Sequence, residues 1–183
     1  MINRRLIRTK VFQALYSYYQ NNTTNIEIAE NNLMHSLQKM HELFALNLSL
    51  LLAIADVEIE RKEIQKQQFL KDKTNNLQHI LYDNQFLSNL RDNDNFKTII
   101  KDNISFWSNA YELVKKITKD IEKTELYQNY STQTETNQKT DADFVNQLYK
   151  KYIYDNEALI AFFEETNIHW GQDQLYIGHL VIS

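Results

Sequence analysis

The chain contains no cysteine and no proline, and its only glycines are Gly171 and Gly178. Without cysteine there is no disulfide, no thiolate metal site and no thiol nucleophile. Two glycines at that spacing cannot write a P-loop or a dinucleotide-binding turn. Sheets and α/β folds consume glycine and proline in their turns, so the scarcity of both points to an all-α protein. No apolar run is long enough to cross a bilayer. The longest, LFALNLSLLLAIA at residues 43–55, is broken by Asn47 and Ser49 and falls short of the ~20 residues a spanning helix needs. It reads as a buried core helix. The opening does not read as a secretory leader either, because Arg8, Lys10 and Gln13 interrupt any apolar run after Arg4 and Arg5. A cytoplasmic location is the expectation.

Signs of catalysis are equally scarce. No serine sits on a glycine elbow. His35 and His41 fall on different faces of a helix, and Glu165 with His169 reads as an ordinary surface pair rather than a metal site. RDNDN at residues 91–95 starts like a calcium loop but lacks its glycine and its closing glutamate, so it reads as a polar turn. The carboxylates cluster as EIERKE (58–63) and EKTE (122–125), which read as solvated helix faces. The expectation is a protein without enzymatic activity, metal or cofactor.

What the chain does have is an asymmetry of charge. Of its 20 basic and 24 acidic side chains, four basic and no acidic ones lie in the first 25 residues. Folding does not require such an imbalance, which usually reports a targeting signal, a membrane contact or a polyanionic partner. At 100° per residue, residues 3–20 form a helix with Ile7, Val11, Ala14, Leu15 and Tyr18 as its expected core stripe. Arg4, Arg5 and Arg8 line one edge of that stripe with Phe12, Tyr16 and Tyr19. Lys10 lies on the other edge, and Leu6 falls outside the stripe.

Thr24 and Glu27 then read as a capping box for a second helix. Nothing breaks its pattern before residue 69, so a kink is expected around residues 36–41, or else a helix that projects at its charged end. Residues 71–76 (KDKTNN) form a polar break. Short helices follow near 78–90 and 95–102, then a longer one from Ser105 or Ser108 to about residue 127. Residues 130–141 read as a linker, and Thr140 or Asp141 as the cap of the next helix, with another short helix at 156–166. The expected organisation is an N-terminal helical unit, 1–69, and an inserted helical region, 70–183. The closing LYIGHLVIS is apolar, as in a chain cut inside an element. Such a segment is expected to pack poorly, the alternative being a helix that docks back.

Arginines interleaved with aromatic rings suit single-stranded nucleic acid, because guanidinium groups meet phosphates and ring faces stack on bases. The plainer alternatives are an amphipathic helix with a solvated basic edge and a helix lying on an anionic membrane. RRLIRTKVFQALY (4–16) also resembles the first helix of the NusB family of transcription antitermination factors, in its arginine cluster and in Gln13-Ala14-Leu15-Tyr16. The long leucine-rich helix and the inserted region are similar to the long Bacteroidetes form of that family. The chain departs from it at Ile7 and Val11, where shorter members often carry alanine, and at Leu6, which interrupts the arginines. The resemblance is strong over about the first twenty residues.

This resemblance implies an all-helical bundle without catalysis, and a C-terminal half beyond the sequence given. It implies binding of boxA-type RNA together with the ribosomal protein NusE, within an RNA polymerase antitermination complex and away from membranes. The residues it assigns to RNA are Arg4, Arg5, Arg8, Lys10, Gln13, Tyr16 and Tyr19. The reading from another class is a helical protein-interaction adaptor that does not bind RNA.

Overall fold

The computed structural model describes residues 4–20, 25–68, 80–101, 104–133 and 137–182. Among these residues there are ten α-helices, one π-helical turn and no strand, in agreement with the all-α expectation. In chain order they are α1 (Arg4–Gln20), α2 (Ile26–Gln68), α3 (Gln85–Asp92), α4 (Asp94–Ile100), α5 (Ile104–Asn109), α6 (Tyr111–Glu122), α7 (Glu125–Ser131), α8 (Gln138–Leu148), the π turn Tyr149–Ile153, α9 (Glu157–Thr166) and α10 (Ile168–Val181). The polar breaks at 21–24 and 71–76, with Thr24 and His79, lie outside the described residues. Asn25 accepts a hydrogen bond from the Glu27 amide, at 2.9 Å.

Helix α2 is the spine, and α1, α3, α4, α5, α6 and α10 all pack on it. Its 43 residues run about 64 Å at the usual rise. No break falls in the stretch 36–41, where a break or kink is expected. No glycine or proline weakens that stretch, and from Met40 onward neighbours cover the helix on opposite sides. Met40, Leu43, Leu46, Leu50, Ile54 and Ala55 are all essentially inaccessible, as befits a helix that is apolar all round. The charged half expected to project is enclosed at its start, and residues 59–65 beyond it are half-buried or exposed. Residues 25–39 contain no buried side chain, whereas Val57 and Glu58 in the charged half are buried.

Glu58 corrects the reading of EIERKE as a solvated face. Its carboxylate accepts hydrogen bonds from the Leu81 amide at 2.8 Å, the Tyr82 amide at 3.3 Å and Lys62 Nζ at 2.9 Å. It also accepts the Tyr127 hydroxyl. Burial, then the Glu58 charge, pushes the Tyr127 phenol far above its ordinary value. A buried charge is tolerable when every lone pair is used in this way.

The later helices divide more finely than their apolar pattern suggests. The stretch read as one helix from residue 105 is broken at Ala110 and again at Thr124, whose side chain caps α7. Val114, Ile117 and Ile121 are buried as expected. Asn93 ends α3 and caps α4, so RDNDN is a turn between helices.

The segment read as a linker is short and anchored on both sides. Tyr130 and Asp141 are buried, with the Tyr130 hydroxyl donating to Asp141 Oδ1 at 2.5 Å. The cap of α8 is Asn137, in a capping box with Thr140. Asp141 instead accepts the Gln85 amide at the start of α3, at 2.8 Å. Segments on both sides of residue 70 supply one core, in which Leu46 and Ile54 join Ile121, Phe163 and Ile177.

Helix α10 closes the bundle. The terminal segment expected to pack poorly is helical and docked on α2 and α9, with Ile177 fully buried and Leu175, Tyr176 and His179 exposed. Three buried polar side chains tie it to α2 and the π turn. Asn47 and Gln174 exchange amide hydrogen bonds of 3.0 and 3.1 Å, and the Tyr149 hydroxyl donates to Asn47 Oδ1 at 2.6 Å. Both indole N–H groups are anchored on α2, Trp107 to Ser49 Oγ at 2.9 Å and Trp170 to the Lys39 carbonyl at 3.0 Å. Close approach explains Gly178, where a Cβ would sit 2.8 Å from the Tyr154 ring and 3.3 Å from the Tyr149 hydroxyl.

Candidate nucleic-acid interface

Helix α1 has the composition of a good helix, yet its charges oppose its dipole. Three arginines occupy its N-terminal end and no acid lies in its first turn. Cations there cost about 0.3–1 kcal/mol each. Their placement is therefore not explained by what the helix itself needs.

The rotation of α1 differs from the expected one. Its buried residues are Leu6 and Lys10, and the same i, i+4 row continues through the half-buried Ala14 and Tyr18. Ile7, Val11 and Leu15, expected in the core, are 39, 36 and 51% exposed. An ion pair holds this rotation. Lys10 Nζ lies 2.7 Å from Asp173 Oδ2 of α10, with both side chains no more than 7% exposed. Lys10, expected to meet phosphate, is thus turned inward and withdrawn from the candidate site. Leu6, which the apolar pattern left unplaced, is core because it sits one turn from Lys10 on the same row.

The remaining candidates face outward. At 100° per residue, Arg5, Arg8, Phe12, Tyr16 and Tyr19 fall within a sector of about 80° opposite the Leu6–Lys10 row. All five are exposed, and the three rings are 69, 58 and 74% exposed in that order. Arg4 is exposed at the margin of this sector, and Gln13 is exposed about a quarter turn from Phe12. The Tyr16 hydroxyl accepts from Gln20 Nε2 at 2.7 Å, and the Tyr18 and Tyr19 rings meet edge-on at 5.6 Å. The structure therefore brings Arg4, Arg5, Arg8, Tyr16 and Tyr19 together, adds Phe12, places Gln13 at the flank and removes Lys10. Such a surface can contact phosphates through guanidinium forks and offer ring faces to unpaired bases.

Among the described residues no comparable chemistry collects elsewhere. A cleft of about 320 Å³ lies between α2, α4 and α5, beside Leu52, Ile100 and Trp107. Its polar groups are already engaged, Arg91 with Asp56 at 2.8 Å and the Trp107 indole with Ser49. Among the described residues no three His, Asp or Glu side chains are placed to hold a metal ion, and no helix is long and apolar enough to cross a membrane. His169 meets the ring of His35 edge-on, at 5.9 Å. Asp173 is the site-supporting residue that sequence reasoning missed. Its only signal is a lone acid in the otherwise apolar or neutral stretch from Trp170 to Val181. Comparison with protein-family models, curated proteins and solved structures finds no match for this chain.

Proposed function

We propose that this chain is an RNA-binding transcription antitermination factor of the NusB type, and that the outer face of α1 is its RNA site. On this reading it is not an enzyme, and it binds boxA-like single-stranded RNA jointly with NusE. One observation carries the proposal: three arginines and three aromatic rings share the exposed face of one helix. Exposed rings beside guanidinium groups are the arrangement that single strands use.

Fluorescence anisotropy of a labelled boxA-like RNA over a salt series tests it. With Lys10 withdrawn, three arginines remain, so the log–log salt slope is expected near -2, at about 0.7 per phosphate for single strands. Arg4→Ala with Arg8→Ala should reduce its magnitude by about 1.4 and weaken all sequences alike. Tyr16→Ala should cost about 1–3 kcal/mol with the slope unchanged. Binding that ignores the two arginine substitutions would refute the site.

The second reading is the helical adaptor, favoured by the apolar exposure of Ile26, Ile28 and Met34 on the free end of α2. An adaptor contact made through those residues should hardly respond to salt, which separates the two readings.

A further inference from the structure

Between Leu50 and Glu58 the only residues of α2 that are not buried are Ala53 and Asp56. Beside them lie the cleft of about 320 Å³ already described and a smaller one of about 190 Å³. The two share Ala53, Asp56 and Trp107 and follow one another along α2, the smaller reaching Glu60 and Tyr111. Leu52, Ile100 and Trp107, all buried, make the floor of the larger cleft apolar, and the less buried Arg91 and Lys97 stand at its edge. We propose that this cleft binds a small apolar carboxylic acid of about two rings, its body on Leu52, Ile100 and Trp107 and its carboxylate on Arg91 and Lys97. An apolar cavity of about 150 Å³ admits one benzene, so two rings suit the volume. One turn of α-helix, about 10 Å across and 5.4 Å long, needs more than that.

Charge selects the occupant and its orientation. Asp56 already shows which group Arg91 takes, because its carboxylate lies 2.8 Å from Arg91 Nη2. The same guanidinium lies over the Tyr82 ring, 4.3 Å from its centroid, which holds it in place. The Asp56 side chain is 63% exposed, and such a surface pair is weakly held. A ligand carboxylate anchored by its rings in the cleft therefore displaces Asp56, which is a stand-in for it. Lys97 supplies a second cation, held only by the almost fully exposed Asp94 at 3.3 Å. The far end is acidic, and Glu60 there already accepts the Tyr111 hydroxyl at 2.9 Å. An anion is thus attracted at one end and repelled at the other. The cleft contains no residue of α1, so this proposal does not rest on the RNA reading.

The chain has two tryptophans, and their indole N–H signals in NMR spectra report on two places. Trp107 lines both clefts and Trp170 lines neither. Titration with 2-naphthoate should move the Trp107 signal to saturation and leave that of Trp170 in place. 2-Naphthamide, the same body without the charge, should bind at least about tenfold more weakly, since a charge-assisted hydrogen bond is lost. Arg91→Gln and Lys97→Gln should each weaken naphthoate by about threefold, as expected for a partly exposed charge. Asp56→Asn should act in the opposite direction and tighten it by about threefold, because the competing carboxylate is gone. An unmoved Trp170 signal in each variant shows that the fold is kept. A Trp107 signal that ignores millimolar naphthoate, an amide that binds as well as the acid, or an Asp56→Asn variant that binds more weakly would each overturn the site.

Discussion

At the scale of single residues, stability is concentrated in a few buried polar groups. Asn47 is fully buried and bonds Gln174, Tyr149 and the Leu43 carbonyl. Asn47→Ala would leave the Gln174 amide and the Tyr149 hydroxyl without these bonds. The expected loss is about 2–4 kcal/mol in urea unfolding, and a loss below about 0.5 kcal/mol would show that the network contributes little. In the sequence Asn47 is only an interruption of an apolar run. Its partners lie on elements far along the chain, so the interruption was legible and its purpose was not.

Glu122 supplies a test of opposite sign to the usual carboxylate. Burial raises its carboxyl above the ordinary glutamate value by more than Arg61, 3.1 Å away, lowers it. Just above the ordinary glutamate range, the native chain then holds a proton that the unfolded chain has lost. Stability from this group therefore falls as pH rises through that window. The stability of the parent minus that of Glu122→Gln should decline over the same window in pH-dependent urea unfolding, and a rising difference would contradict the assignment.

At the scale of elements, the Lys10–Asp173 pair decides how α1 sits. Removing one partner strands a buried charge, so Lys10→Met should cost about 3–5 kcal/mol. Lys10→Met together with Asp173→Leu should recover most of it, since well-packed apolar residues often replace a buried pair without loss. Thermal and urea unfolding of the parent, single and double variants check this, and a single variant as stable as the parent would mean that the pair is not needed. The bounds of α1 were legible because its sequence is uniformly helical. Its rotation was not, because apolar counting sends lysine outward and the acid that draws Lys10 inward is on the last helix. The unbroken α2 shows a similar limit. Its length argued for a break or kink, but it runs unbroken, flanked by other helices from Met40 onward.

At the scale of the whole molecule, the all-α class followed from scarce glycine and absent proline, and the basic aromatic surface was visible as a strip of sequence. The layout around α2 was not, since it depends on contacts such as Trp107 with Ser49 and Tyr127 with Glu58. This layout leaves the molecule unevenly supported. Residues 26–39 of α2 contain no buried side chain, while most of residues 43–58 are enclosed. Local opening tracks such differences in burial. Amide hydrogen exchange should therefore reach residues 26–36 well before residues 43–55, and uniform protection along α2 would show that the free end is as firmly held as the centre.

An unbroken α2 also acts as a lever. Its first turn lies about 21 Å beyond Met40 at 1.5 Å per residue, with no proline or glycine to serve as a joint. A load applied at that tip is not absorbed locally. It arrives as torque where Asn47 is gripped by Gln174 and Tyr149, and the same Gln174 is the chain neighbour of Asp173, which holds α1. Bending the rod therefore strains the clamp that sets the first helix, so a pull on the tip of α2 is felt as a twist of α1.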